Sequence, residues 1–265
     1  MIKIISKIRC ICYSADIVKT NHSYLKPDIF DLNFLKKYKR FYYKCSKCGL
    51  YFSNYTFLKK NLNKIYKFKY TDINNNYHYQ KFIKIINLPL SVSENRQRAI
   101  WLKKFISNKK IFNNKKVRLL DYGGGVGYFS YEMQDKKYIC YTYDEAKKPS
   151  FSKEFKLKYV SKRKLKNFDI VTLNYFLEHI KNPVIFLKKM IKLLKKNGLK
   201  YIEIPNDKNF IYIKKKNVIF NSLHLYFFNS YNIKNLLEKL KLKILYIKNE
   251  KSPRKCYIIK VLCSK

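Results

Sequence analysis

An α/β fold built on an open, mostly parallel sheet is what this 265-residue chain predicts, and three observations predict it. From about residue 94 onward, apolar runs of strand length alternate with segments of helical period. One of those runs ends in an acid followed at once by a dense glycine turn, and two final apolar runs are separated by a short polar turn. Alternation of this kind builds parallel β-α-β units, and two adjacent closing strands add an antiparallel hairpin.

The elements follow in order. Ala99, Ile100, Leu102 and Phe105 fall near helical spacing and predict a helix over about Glu94 to Ile106. Val117 to Asp121 is strand one, Gly127 to Met133 opens the next helix, and Tyr138 to Tyr143 is strand two, ending in Asp144. The stretch from Asp144 to Phe168 is short; it has room for a helix broken at Pro149 and a third strand near Lys156 to Val160. Phe168 to Leu173 is strand four. Asn182 and Pro183 make an N-cap and first-turn pair for a helix carrying Val184, Leu187, Ile191 and Leu194, closed by Gly198. Leu199 to Ile204 is strand five, stopped by Pro205. Ser230 caps a helix whose apolar face is Ile233, Leu236, Leu237 and Leu240, and the runs Ile244 to Ile247 and Cys256 to Leu262 form the hairpin. The first hundred residues lack this alternation and are rich in aromatics and Lys, so the chain divides into an N-terminal cysteine-containing lid region, 1–93, and an α/β domain, 94–265.

The glycine turn reads Asp121-Tyr-Gly123-Gly124-Gly125-Val-Gly127. The chain has six glycines in all, and four lie within the five residues 123–127, a concentration that close backbone approach to a ligand explains. A dinucleotide fingerprint, G-x-G-x-x-G, counted from Gly123 and Gly125 would need glycine at position 128, which is Tyr128. The spacing therefore argues against a dehydrogenase. Acids are scarce in this chain, 17 against 59 Lys and Arg, so their positions are informative. Asp121, Asp144, Glu178, Glu203 and Asp207 all fall at or just beyond the carboxyl ends of predicted strands, where open α/β sheets bind ligands. Glu203 and Asp207 are expected to pair with neighbouring lysines.

The turn, D-x-G-x-G-x-G, resembles motif I of class I S-adenosylmethionine (SAM) dependent methyltransferases, and the resemblance extends over Val117 to Leu262. Phe168-Asp-Ile-Val-Thr-Leu173 with Leu177-Glu-His179 is similar to the "FDVV…LEH" segment of methyltransferases acting on small molecules. Leu193 to Leu199 is similar to their "LKPGG" turn, and Ile202 to Asn206 and His224 to Phe228 continue the series. The resemblance implies a Rossmann-like seven-stranded sheet, with Asp121, Gly123, Gly124, Gly125 and Gly127 holding the methionine part of SAM, Asp144 the ribose, and Asn174 and Tyr175 the rim beside the methyl donor. Where the family often carries an acid for adenine, this chain has Tyr159 to Lys164, which leaves adenine to Ser161 or backbone groups. His224, among aromatics on a predicted loop, is the candidate general base; His179 reads as a packing residue.

Cys10-x-Cys12 and Cys45-Ser-Lys-Cys48-Gly49 form a second constellation. The C-x-x-C-G knuckle turns two thiolates towards one metal, and Cys45 to Phe52 resembles the second knuckle of an N-terminal zinc ribbon found in a subset of bacterial methyltransferases. The first knuckle is irregular, with Arg9 where its leading Cys belongs and His22 as a substitute ligand. A structural zinc held by Cys10, Cys12, Cys45 and Cys48 is expected. Cys140, Cys256 and Cys263 read as small hydrophobes in a reducing compartment.

The net charge of +42 comes from 52 Lys and seven Arg, in company with 25 Asn, a profile of A- and T-rich codons rather than of a specific nucleic-acid reader. Non-specific binding to polyanions is expected, specific recognition is not. No apolar run reaches the roughly 18 to 20 residues of a membrane span, and the chain reads as cytoplasmic. The sequence thus predicts methyl transfer to a small molecule or glycan precursor. Two other readings stand beside it. A ribosomal RNA base methyltransferase would use the basic surface, but Asn174-Tyr-Phe-Leu177 is not its N-P-P-Y-like motif. A catalytically degenerate binding module would account for the short middle region.

Overall fold

The computed structural model describes residues 2–4, 9–24, 40–53, 55–57, 75–112, 115–146, 148–209 and 224–265. Near the N-terminus β1 (Ile2–Ile4), β2 (Ile17–Tyr24), β3 (Arg40–Cys45), β4 (Tyr51–Ser53) and β5 (Tyr55–Phe57) form two small antiparallel groups, β1 with β5 and β2-β3-β4 as a meander. Helices α1 (Asn75–Ile86) and α2 (Glu94–Asn108) lead into the large domain. There β6 (Val117–Tyr122), α3 (Tyr128–Met133), β7 (Tyr138–Tyr143), β8 (Lys158–Tyr159), β9 (Phe168–Asn174), α4 (Pro183–Leu193), β10 (Leu194–Pro205), β11 (Tyr226–Phe227), α5 (Ser230–Lys239), β12 (Lys243–Lys251) and β13 (Tyr257–Ser264) follow.

The predicted α/β sheet has seven strands in the order β12-β13-β10-β9-β6-β7-β8. Strands β8, β7, β6, β9 and β10 run parallel, and β13 is inserted antiparallel between β10 and β12. This is the seven-stranded Rossmann-like sheet with a C-terminal antiparallel hairpin that the resemblance implies. Strands β6 and β9 are covered on both faces, so their central residues, Leu119 with Leu120 and Ile170 with Val171, are apolar in succession. Successive side chains still point to opposite faces. Leu119, Ile170 and Tyr201 pack with Ala99, Leu102 and Ile106 of α2 and with Phe129 and Met133 of α3. Leu120, Val171 and Ile202, each one residue further on, pack on the other face with Leu187 and Met190 of α4 and Ile233 and Leu237 of α5. Each such fully buried aliphatic side chain contributes about 1.5–3 kcal/mol. The chain leaves β6 towards β7 and β8 and later returns to β9 and β10 on the other side, so a topological switch point opens between the carboxyl ends of β6 and β9.

Several boundaries differ from the sequence reading. Strand three is two residues long, preceded by one 3-10 turn at Ser150–Ser152 after Pro149. Gly198 does not close α4, which ends at Leu193; the left-handed residue of that turn is Asn197, at φ 60°. Gly198 is needed for space, because a Cβ there would lie 3.0 Å from Leu194 Cβ and from the Lys195 carbonyl oxygen. The N-cap of α5 is Asn229, not Ser230, in a capping box with Asn232.

The N-terminal meander does not end with its own strands. β11, from the C-terminal half, pairs antiparallel with β4 and extends the small sheet to β11-β4-β3-β2. The core is accordingly continuous: Cys10, Cys45, Leu50 and Phe52 pack with Leu177, Phe228 and Ile233. No described helix is long and apolar enough to cross a membrane.

Candidate active site and metal centre

The glycine turn is shaped by its neighbours. Gly123 sits at φ 76°, and a Cβ there would lie 2.0 Å from the Phe176 ring; at Gly124 it would meet the Asp121 carboxylate at 2.5 Å. Gly127 (φ 89°) caps α3 and abuts Leu157 and the Tyr159 hydroxyl. Gly125 differs from these three. At φ 54°, nothing described lies within 4 Å of where its Cβ would be, so this position faces open space. Its N–H donates to Asp144 Oδ2 at 2.8 Å and its carbonyl accepts from Tyr159 Oη at 2.9 Å. The Ala146 N–H donates to Asp144 Oδ1 at 2.9 Å, so the acid at the end of β7 is fixed by two backbone donors and keeps lone pairs for hydroxyl groups.

At the switch point Asp121 is buried and accepts from Thr172 Oγ1 at 2.7 Å and from Asn174 Nδ2 at 2.9 Å. Burial pushes its carboxyl up to about 6, against the pull of those hydrogen bonds and of Arg98. With Nδ2 engaged by the carboxylate, the amide orientation of Asn174 is set by chemistry, and its Oδ1 is left buried with no hydrogen-bond partner among the described residues. A cavity of about 320 Å³ opens over these groups, lined by Asp121, Gly123, Gly124, Asn174 and Tyr175 together with Leu88, Glu94, Arg98 and Arg254. Tyr175 holds a left-handed backbone at φ 49°, its N–H donates to the Glu203 carbonyl at 2.8 Å, and its hydroxyl lies 3.4 Å from Glu94 Oε1.

Glu203 and Asp207 do not pair with lysines as expected. Glu203 is buried in a two-pronged ion pair with Arg98 and accepts from Tyr201 Oη at 2.6 Å. Burial alone would raise its carboxyl, but Arg98 outweighs burial and holds it below the usual range. Asp207 accepts from Asn229 Nδ2 at 3.1 Å. Three functional candidates escaped the sequence reading: Arg98 under the cavity, Arg254 in the β12–β13 turn, and Glu94, which Arg254 pairs with. A signal existed. In a chain with 52 Lys, each of seven Arg is a departure from the prevailing codon choice, and guanidinium forks suit buried carboxylates where ammonium does not.

The structure thus brings Asp121, the glycines, Asn174 and Tyr175 to one place, with Asp144 beside them. It sets His224 elsewhere. That imidazole stands 4.7 Å, centroid to centroid, from the ring of His179 and close to Glu178, and it is absent from the described lining of the cavity.

The four N-terminal cysteines converge. Their sulfurs all lie within 4.8 Å of one another, with Cys10–Cys48 at 3.5 Å and Cys12–Cys45 at 3.6 Å. Four sulfurs around a tetrahedral zinc at about 2.3 Å would be about 3.8 Å apart, so the donor set fits such an ion closely. All four thiols are free. The knuckle at Cys45 is the expected one, with Gly49 at φ 72° and its N–H donating to the Cys45 carbonyl at 2.8 Å. The irregular first knuckle reaches the same place by a tighter turn, Tyr13 N–H to Cys10 carbonyl at 2.9 Å, with Tyr13 itself left-handed at φ 69°. The hydrogen bond from Cys10 pulls the Cys48 thiol down to about 5. Arg9 needs no replacement as ligand; the side chain of His22 lies outside the described residues.

Comparison with known proteins agrees with the fold. A family model described as a methyltransferase domain matches residues 92–247. The chain belongs to that family, among the class I SAM-dependent methyltransferases. No curated protein gives a significant match. Among solved structures, magnesium protoporphyrin IX methyltransferase from Synechocystis PCC 6803 with bound S-adenosylhomocysteine is similar at 13% identity and a TM-score of 0.57, covering 78% of this chain and 100% of that one. The 1,6-didemethyltoxoflavin-N1-methyltransferase of Burkholderia thailandensis is similar at 12% identity and a TM-score of 0.51, covering 72% and 86%. A protein of Pyrococcus horikoshii OT3 is similar at 17% identity and a TM-score of 0.51, covering 68% and 92%.

Proposed function

We propose that this methyltransferase binds SAM across the switch point between β6 and β9 and methylates a small molecule, of which a sugar or glycan precursor is the class favoured. The observation that carries the reading is the orphaned, buried Asn174 Oδ1 beside the ionisable Asp121, under a glycine turn whose Gly125 faces open space. A cationic ammonium group satisfies both acceptors at once. Asp121 and Asn174 would hold the amino-acid end of the cofactor, Gly123 to Gly127 would admit it, and Asp144 would accept from the ribose hydroxyls. When bound, the cofactor supplies an electrophilic methyl group on a sulfonium.

The chain's own part is to hold the acceptor in line and exclude water. Tyr175 and Glu94 border the cavity where an acceptor would enter, and Arg254 closes that side from the β12–β13 turn. With His224 outside the described lining, the base assigned to it from sequence has less support than the rim roles of Asn174 and Tyr175. A small acceptor is supported by the acceptors named for two of the similar bacterial structures. We further assign one structural zinc to Cys10, Cys12, Cys45 and Cys48, and cysteine module and methyltransferase domain to 1–93 and 94–265.

Calorimetry tests the cofactor: S-adenosylhomocysteine should bind and NAD should not. Labelled methyl transfer into cell extract, split into RNA and low-molecular-weight fractions at two salt concentrations, tests the acceptor. Label confined to RNA and lost at high salt would overturn the small-molecule reading, and no transfer despite confirmed binding would favour a scaffold.

A further inference from the structure

The turn after β9 and the segment before β11 bring together three groups that methyl transfer, as argued above, does not use: the carboxylate of Glu178 and the imidazoles of His179 and His224. One ligand atom from each lies within 4.8 Å of the others, and His179 Nε2 is 3.9 Å from Glu178 Oε1. Glu178 is fully buried, and among the described residues neither of its oxygens has a hydrogen-bond partner. A buried carboxylate that accepts no hydrogen bond is costly, and natural structures retain few of them without a reason. The encounter is built by the backbone. The Leu225 N–H donates to the Glu178 carbonyl at 2.9 Å, which delivers His224 to this spot just before β11 joins β4 of the cysteine module.

We propose that Glu178, His179 and His224 bind one divalent transition-metal ion of the zinc or cobalt kind, fastening the segment before β11, and with it the cysteine module, to the turn after β9. Two imidazoles and one carboxylate suit borderline metals; magnesium and calcium prefer all-oxygen shells. Ligand atoms around a tetrahedral ion at 2.0–2.1 Å are about 3.4 Å apart, so the observed spread closes by small rotations of the two rings. The proposed ion is distinct from the one assigned to the four thiols, and the assignment is independent of cofactor binding.

Cobalt(II) titration of the full chain, stripped of metal under reducing conditions, reads the two sites separately. The thiolate site gives intense sulfur-to-cobalt charge-transfer absorption in the near ultraviolet, and an imidazole–carboxylate site gives only weak visible bands. The parent should take two equivalents. The isosteric Glu178→Gln, checked for folding by circular dichroism, should lose the equivalent without charge transfer and keep the other. His179→Asn, at a partly exposed position, should do the same and serves if Glu178→Gln fails to fold. Saturation of the parent at a single, thiolate-bound equivalent, or two equivalents retained by the folded variants, would overturn the proposal and leave the three groups a packed, proton-sharing cluster.

Discussion

The carboxyl edge of the large sheet and the four-cysteine module both hold chemistry-bearing side chains in fixed places, but by different physics. Asp121 and Asn174 project from strands buried on both faces, with Leu119, Leu120, Ile170 and Val171 packed above and below. Their positions are inherited from a core of domain size. Among the described residues around its cysteines the buried large apolar side chains are Tyr42, Leu50 and Phe52, and part of its sheet is borrowed from β11. Small units of this kind need a staple, and four convergent thiols are one. The lesson is that the first site should survive loss of any one ligand-facing group, whereas the second should not survive loss of one sulfur.

The largest expected effect follows. Cys45→Ser removes one ligand of the set, and apparent binding energies of structural zinc in small domains are about 10–16 kcal/mol, so the module should lose its metal and its fold. Limited proteolysis should then cut before about residue 75 while S-adenosylhomocysteine affinity changes little. Collapse of both regions together would show that the module is a strut of the main domain. Next comes Arg98→Ala, which strands the Glu203 carboxylate in the core beneath the cavity. Breaking a buried pair from one side typically costs about 3–5 kcal/mol, read as a fall in urea midpoint. A loss below about 1 kcal/mol would mean that water reaches Glu203.

These two cases also show what sequence conveys. The sheet was legible because its strands carry apolar runs of the right length and its turn concentrates four glycines around one acid; Asp121, Gly123, Gly124 and Asn174 line one cavity. The convergence of the cysteines was legible in Cys45 and Cys48, and for Cys10 and Cys12 it depended on a left-handed Tyr13 that no local pattern announces. What sequence hid were the long-range pairings: Arg98 with Glu203, Arg254 with Glu94, and β11 with β4. Partners so far apart in the chain are chosen by topology, and local spacing carries no trace of them. His224 was misplaced for the same reason, since the backbone bond from Leu225 to Glu178 draws it away from the cavity lining.

At the sheet edge, Asp121→Asn should weaken S-adenosylhomocysteine by about 10- to 100-fold, the value of a charge-assisted hydrogen bond, about 1.5–3 kcal/mol, with little loss of fold. The pH dependence sharpens this. With its carboxyl raised to about 6 from an ordinary 3.8, Asp121 is more readily protonated in the folded state than in the unfolded chain. Its ionisation therefore costs the unliganded protein stability as pH rises from about 4 through 6, and a bound ammonium offsets that cost. The rise in Tm on adding ligand should accordingly grow between pH 5 and 7 and level off above, and Asp121→Asn should flatten the profile. An unchanged profile in the variant would remove Asp121 from the cofactor site.

The smallest effect belongs to Arg254, whose guanidinium is largely exposed, pairs with Glu94 and lies 5.5 Å from the Tyr175 ring centre. Ion pairs this open contribute about 0.2–1 kcal/mol, so Arg254→Ala should lower Tm by no more than about 4 °C. Its consequence should appear in kinetics. Because Arg254 comes from the β12–β13 turn and touches none of the groups assigned to the cofactor, its loss should raise KM for the acceptor several-fold and leave S-adenosylhomocysteine affinity within about two-fold. Arg254→Lys should restore little, since a compact ammonium on a different stem does not reproduce the guanidinium's contacts with both Glu94 and the Tyr175 ring. Equal weakening of cofactor and acceptor would move Arg254 into the cofactor site, and with it the boundary between the part of the edge that holds SAM and the part that selects what is methylated.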